Sequence, residues 1–176
     1  VNFLSSNTTL FKSFSYSQNS SESNLSSHIA SAVCLDKQNN LWVGTDGGGI
    51  NVIKAGKRTA TYTKNAGKLS GNSIQTALCD KQGNLWFGIF NGGIMFYDSH
   101  KQTFHQIFPE EYATQDVRSL YEDKEGIIWV GTSNGVFQIE RNSKKIRQHT
   151  HIPDNLVRTV IKAVSYTHLT LPTNSL

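Results

Sequence analysis

No apolar run in the chain approaches the roughly 20 residues that a membrane-spanning helix requires, so this segment offers nothing for direct membrane insertion. Cysteine is scarce. Cys34 and Cys79 lie in no C-x-x-C pair, which leaves a zinc site unsupported. Counted from the next tryptophan, Cys34 stands at −8 and Cys79 at −7. That difference of one turns the two side chains to opposite strand faces, so no disulfide is expected and both read as small buried hydrophobes. Charge is modest too, at 17% of residues and a net +4. The lysines and arginines are scattered, with no basic face interleaved with aromatics, which speaks against nucleic acid as a partner. The chain is 37% hydrophobic over 176 residues, which suits a globular domain or a piece of a larger one. It opens at Val1 in the middle of a pattern, so the lack of a signal peptide carries no information about the parent protein.

What the sequence does have is one phrase used three times. "NNLWVGTDGGG" occupies residues 39–49, "GNLWFGIFNGG" residues 83–93 and "GIIWVGTSNG" residues 126–135. The tryptophans, Trp42, Trp86 and Trp129, are spaced by 44 and 43 residues. A period near that value, with Trp inside an apolar strand, belongs to propeller blades. Each unit reads as four short strands. Strand A is "ASAVCL", "IQTALC" or "VRSLYE", and a turn beginning at Asp36, Asp80 or Asp123 follows. The Asp can accept backbone N–H groups in an Asx-turn. The fourth turn residue is Asn39, Gly83 or Gly126, which enter the left-handed region most easily.

Strand B carries the Trp and is apolar on both faces, as a strand covered on both sides should be. Asp46-Gly47, Asn91-Gly92 and Asn134-Gly135 follow, and these dipeptides predict type I′ hairpins with positive φ at both corners. Strand C is "INVI", "IMFY" or "VFQI". Strand D ("TATYT", "TFHQIF", "IRQHT") mixes polar and apolar residues, as an outer edge should.

The predicted architecture is all-β: a β-propeller fragment of four-stranded antiparallel blades, three complete, with partial blades at both ends. Residues 1–16 read as strands C and D of a preceding blade, 17–63 as the Trp42 blade, 64–108 as the Trp86 blade, 109–150 as the Trp129 blade and 151–162 as the opening strand of another. After Lys162 the pattern stops: Ala163 stands where the Asp belongs and Leu169 where the Trp belongs. Residues 163–176 resemble translated sequencing-adapter read-through and are expected to be non-native.

The phrase Asp-Lys-x-Gly-Asn-Leu-Trp-x-Gly-Thr, then x-Gly-Gly-Ile, resembles the two-component regulator propeller repeat, over residues 1 to about 162. The resemblance implies a seven-bladed propeller in the periplasmic sensor region of a hybrid two-component sensor histidine kinase of Bacteroides-type bacteria. It also implies an inner-membrane parent that responds to oligosaccharide and works as a homodimer, with the remaining blades as the segment's nearest partners. No kinase box is present here, so any kinase activity would belong to the parent. Ile127 and Ile89 depart from the repeat's Asn and Thr.

Other motifs read as structure. Gly47-Gly48-Gly49 precedes a strand, whereas a phosphate cradle opens a helix. His149 and His151 lack the further ligands zinc needs. Glu110-Glu111 are adjacent, whereas glycosidase carboxylates come from separate elements. The tryptophans are core rather than sugar platforms, which must be exposed. No catalytic, cofactor or metal residue is therefore assigned. Consecutive turns alternate between the two ends of a blade, so B–C turns and D–A connections share one face, which carries the variable loops where recognition is usually placed. There the candidate ligand-binding residues are Gln75, Arg118 and Arg158 near the start of strand A, with Phe90 in a B–C turn as a stacking surface. Polar groups at the strand positions suit sugar hydroxyls, and the arginines would suit an acidic sugar. The leading expectation is a ligand-sensing or interaction segment without chemistry. The alternatives are a fragment of a lyase-type propeller enzyme and a purely structural blade set.

Overall fold

A computed structural model describes residues 13–16, 24–108, 110–113, 115–150 and 157–160. Strands β3 (Ala30–Leu35), β4 (Leu41–Thr45), β5 (Gly49–Lys54) and β6 (Lys57–Tyr62) form one antiparallel sheet in sequence order, blade 1, and a short parallel pair, β1 (Ser15–Tyr16) with β2 (Asn24–Leu25), precedes it. Blade 2 is β7 (Ile74–Cys79), β8 (Leu85–Ile89), β9 (Gly93–Asp98) and β10 (Thr103–Gln106). Blade 3 is β11 (Val117–Glu122), β12 (Ile127–Thr132), β13 (Gly135–Glu140) and β14 (Ile146–Thr150). These are β-propeller blades, and strands A to D lie where the apolar pattern predicts them. The one helical element among the described residues is a single 3-10 turn, Glu110–Tyr112. The strand C expected before Ser15 and the segment after Val160 lie outside the described residues.

Strand B is apolar on both faces because each face meets a different neighbour. In blade 1, Trp42 packs with Ile50 and Val52 against Leu85, Phe87 and Tyr97 of blade 2, while Val43 and Ile53 pack on the other side with Leu25. Trp86, Ile94 and Phe96 meet Val117, Ile128 and Phe137 of blade 3 in the same way. Trp129 and Val136 meet Val157 and Val160. The three tryptophans are 4%, 0% and 9% exposed, which places them at equivalent core positions. Residues 157–160 thus pack where an opening strand would, without joining a β-ladder among the described residues. On the outer side of blade 1, Val33 and Leu35 are 63% and 54% exposed.

The glycine of Trp-x-Gly allows this stacking. A Cβ on Gly44 would lie 2.5 Å from Ile74 Cγ2 of blade 2, and one on Gly88 would lie 2.6 Å from Val117 Cγ1 of blade 3. A Cβ on Gly131 would lie 2.9 Å from Val157 Cγ1. Successive blades therefore approach too closely for any side chain at this position.

The A–B turn is held by its Asp. Asp36 accepts the backbone N–H of Gln38 (2.9 Å) and Asn40 (2.8 Å) and the indole N–H of Trp42 (2.9 Å). Asp80 repeats this with Gln82 (3.0 Å), Asn84 (2.8 Å) and Trp86 (3.0 Å). Asp123 accepts from the Ile127 backbone and from Trp129, each at 2.9 Å. The side-chain amides of Asn40 and Asn84 add a further bond that Ile127 cannot make, yet the backbone and indole bonds survive there. Asn39, Gly83 and Gly126 have φ of 61°, 94° and 80°, the left-handed geometry expected at the fourth turn position.

Two readings need correction. The B–C turns are not type I′. Positive φ falls on Gly47 and Gly49 in blade 1, on Asn91 and Gly93 in blade 2 and on Gly135 in blade 3, and never on both members of the Asx-Gly dipeptide. In blades 1 and 2 the loop has three residues, since Thr45 pairs with Gly49 and Ile89 with Gly93. The Thr of the repeat closes this turn, with Thr45 Oγ1 donating to Gly49 O (2.8 Å) and Thr132 Oγ1 to Gly135 O (3.0 Å). Nor do opposite faces separate Cys34 from Cys79. They belong to successive, face-to-face blades, so opposite faces look into one interblade space, and both free thiols pack against the same cluster.

Two stability outcomes follow from this packing. Trp86→Ala is expected to cost about 3–5 kcal/mol, and Gly88→Ala about 1–3 kcal/mol through overpacking, both read from urea unfolding midpoints. The second concerns pH. Burial alone would raise the Asp36 carboxyl, but hydrogen bonds from Trp42, Asn40 and Gln38 outweigh it and hold its pKa below the ordinary 3.8. A depressed folded-state pKa gives stability that is complete above the unfolded value and lost as pH falls through the folded one. The urea midpoint should therefore fall between about pH 5 and pH 2, and Asp36→Asn should flatten part of that fall. An unchanged slope in the variant would contradict the assignment.

Candidate functional site

The two ends of the blades are built differently. At the A–B end, the turn of blade 2 is tied to blade 3. Lys81 N donates to Glu122 Oε2 (2.7 Å), Lys81 Nζ to Asp123 O (2.6 Å) and Gln82 Nε2 to Asn142 Oδ1 (3.0 Å). Arg141 pairs with Glu122, and Lys144 Nζ stands 3.6 Å from the Phe96 ring centre and 4.4 Å from that of Trp86. Burial pushes the Lys144 pKa down to about 8, while the ring faces favour its charge. Short turns, their polar groups already engaged, leave little for a ligand there.

At the other end, the B–C turns and D–A connections meet as the alternation of turns requires. Gly49 N donates to Asn72 O (2.9 Å), Phe90 N to Ser73 O (2.9 Å), Gly93 N to Gln115 O (3.0 Å) and Ser133 N to Asp116 O (3.0 Å). Ser70 Oγ also donates to Gly92 O at 2.6 Å. Backbone bonds thus fix the base of each long loop and leave its side chains to vary.

Strand A enters this face through a β-bulge in every blade. The ladder shifts register between Ala30 and Ala32, between Ile74 and Thr76, and between Val117 and Ser119. The residues inside the three bulges are Ser31, Gln75 and Arg118, the variable polar positions of the repeat. A bulge adds a residue that the ladder does not pair and re-aims its side chain. Its recurrence explains how this position varies while the residue before it (Ala30, Ile74 or Val117) stays apolar.

The candidates differ in what surrounds them. Ser31 Oγ is engaged with Ile74 O of blade 2 and Gly44 O. Gln75 is half-buried, Arg158 is exposed, and the Phe90 ring at the turn tip is 45% exposed. Arg118 is not a free cation. Its Nε and Nη2 donate to Asp116 Oδ2 at 2.9 and 2.6 Å, and Asp116 is buried. A ligand would meet an ion pair, which weakens the case for an acidic sugar at this position. Asp116 Oδ1, Gln115 Oε1 and Ser119 Oγ are buried without a hydrogen-bond partner. These three residues flank Arg118 and were not foreseen; the carboxylate two positions before it, where loop becomes strand, was the available signal. Among the described residues no group of three metal-ligating side chains converges, and no helix is long and apolar enough to cross a membrane. His151 lies outside the described residues.

The sequence profile described as "Two component regulator propeller" matches residues 24–47, 68–91 and 111–134, one match per blade. Among solved structures, the extracellular domain of BT3049, described as a hybrid two component system of B. thetaiotaomicron, aligns at 44% identity and a TM-score of 0.71 over 83% of this chain. The extracellular domain of BT4673 from the same organism, also described as a hybrid two component system, shares the fold at 18% identity and a TM-score of 0.54 over 84% of this chain. The chain spans 19% and 26% of the lengths of those two structures. Among curated proteins no sequence matches.

Proposed function

The chain carries repeats of the two-component regulator propeller family, and we propose that it is a periplasmic sensor segment whose loop-rich face contributes to an oligosaccharide site. The parent in this reading is an inner-membrane hybrid histidine kinase, dimeric, with the further blades of the ring completing the site. The likeness to extracellular domains of two-component systems supports the sensor part of this reading. The observation that supports a ligand site on this face is the repeated bulge. It delivers a different polar side chain from each blade to the innermost strand, beside buried polar atoms that lack partners in blade 3. Sugar hydroxyls both donate and accept, so they suit such a mixture of an amide, an ion pair and open carbonyl-type acceptors. Phe90 supplies an exposed apolar plane of the kind that stacks on a sugar ring.

Isothermal titration of the intact sensor domain against a panel of oligosaccharides tests the site. Alanine at Gln75, Phe90 or Arg158, and Arg118→Gln, are expected to weaken binding. Loss of one charge-assisted bond costs about 1.5–3 kcal/mol, roughly ten- to a hundred-fold in affinity. Lys101, on the opposite face with its side chain 75% exposed, is the neutral control. Lys144 is unsuitable because it packs on Trp86. Thermal melts on the same samples separate lost binding from lost fold. Equal, negligible effects on both faces would place the ligand elsewhere, at a propeller–propeller or dimer contact.

A further inference from the structure

Cys34 and Cys79 occupy the innermost strands of blades 1 and 2. Cys34 pairs across its ladder with Trp42, so it shares the Trp42 face, which looks toward blade 2. Cys79 pairs with Leu85, whose side chain belongs to the same interblade cluster, so it looks toward blade 1. Contacts between the blades bracket the two sulfurs. At one end Ser31 Oγ reaches Ile74 O, so β3 and β7 are within hydrogen-bonding reach of each other. At the other end the Lys37 side chain lies against Gly83, where a Cβ would be 2.7 Å from Lys37 Cδ. Between these contacts, Cys34 and Cys79 are staggered by one residue of strand, roughly 3.3 Å.

We propose that Cys34 and Cys79 form a disulfide site that cross-links blades 1 and 2 in an oxidising compartment. The compartment rests on the extracytoplasmic reading above; the juxtaposition of the thiols does not. The reaction is thiol–disulfide exchange with an oxidant of the glutathione-disulfide or protein-disulfide class. The Cys79 thiolate, the less enclosed of the two, attacks one oxidant sulfur, breaks the S–S bond and expels one thiolate. Deprotonated Cys34 then attacks the Cys79 sulfur of that mixed disulfide and expels the second thiolate. Two protein thiols lose two electrons and two protons, and the oxidant becomes two thiols. Burial pushes the Cys34 pKa up to about 12, with Cys79 and Asp36 nearby adding to it. A thiol held protonated in this way suits a slow structural cross-link rather than a fast oxidant sensor.

The test treats the purified chain with oxidised glutathione, in buffer and in concentrated urea. In buffer, the monomer should lose both free thiols and the mass of two hydrogens, and a non-reducing digest should join the Cys34 and Cys79 peptides. The link should form many-fold faster in buffer than in urea, because the fold brings the thiols together. Cys34→Ser should instead leave Cys79 as a stable glutathione adduct. The oxidised chain should melt roughly 5–10 °C above the reduced one. The proposal is overturned if both thiols stay open to alkylation in the folded chain, if only covalent dimers form, or if urea leaves the rate unchanged. A parent found in the cytoplasm would remove the proposed function while leaving this chemistry intact.

Discussion

Each blade depends on one bond, from the indole N–H of the strand B tryptophan to the carboxylate that opens the A–B turn. The two residues are six positions apart and the turn lies between them. The carboxylate also accepts backbone N–H groups inside that turn, so a single side chain fixes the turn, the alignment of strands A and B and the rotamer of the largest core residue. Asp80 and Asp123 are each 2% exposed. A buried carboxylate is tolerable only when several donors meet it. Here the donors come from the turn and the indole, so charge burial and core packing are satisfied together.

The division of labour between the two ends of the molecule follows from this. The latched end spends its polar groups internally or on the next blade through Lys81, Glu122 and Arg141. The opposite end is fixed by backbone bonds, which constrain chain path but not side-chain identity. The strand A bulge therefore sits where sequence is free to change, one residue away from positions such as Ile74 and Val117 that are completely buried. The Trp-x-Gly glycine makes the stacking tight enough for Ser31 of one blade to bond the backbone of the next.

Much of this was legible in the sequence because it depends on short-range pattern. The Trp spacing, the doubly apolar strand B and the left-handed fourth turn residue each carry a local physical reason, and the strands lie where these put them. The hairpin reading failed because Asx-Gly signals a left-handed residue without giving loop length, and Thr45 and Ile89 pair beyond the dipeptide. The two cysteines are free, as expected, but the opposite-faces argument for it failed because strand parity was taken within one sheet, whereas both thiols pack into the one space between two sheets. The Asp–Trp bond and the bulge were also missed. The Asp had a sufficient local role in its turn, and a bulge leaves no mark until register is known. The neutralisation of Arg118 by Asp116 is likewise a matter of side-chain direction, which spacing alone does not give.

The account stands most directly on the coupling between that carboxylate and its indole. A double-mutant cycle in blade 2, with Asp80→Ala, Trp86→Phe and both together, measures it through urea unfolding. A hydrogen bond to a charged group is worth about 1.5–3 kcal/mol, so the double variant should be more stable by about that amount than the sum of the single losses predicts. Additivity within about 0.5 kcal/mol would mean that the two residues act independently, and the latch would not be what holds the blade.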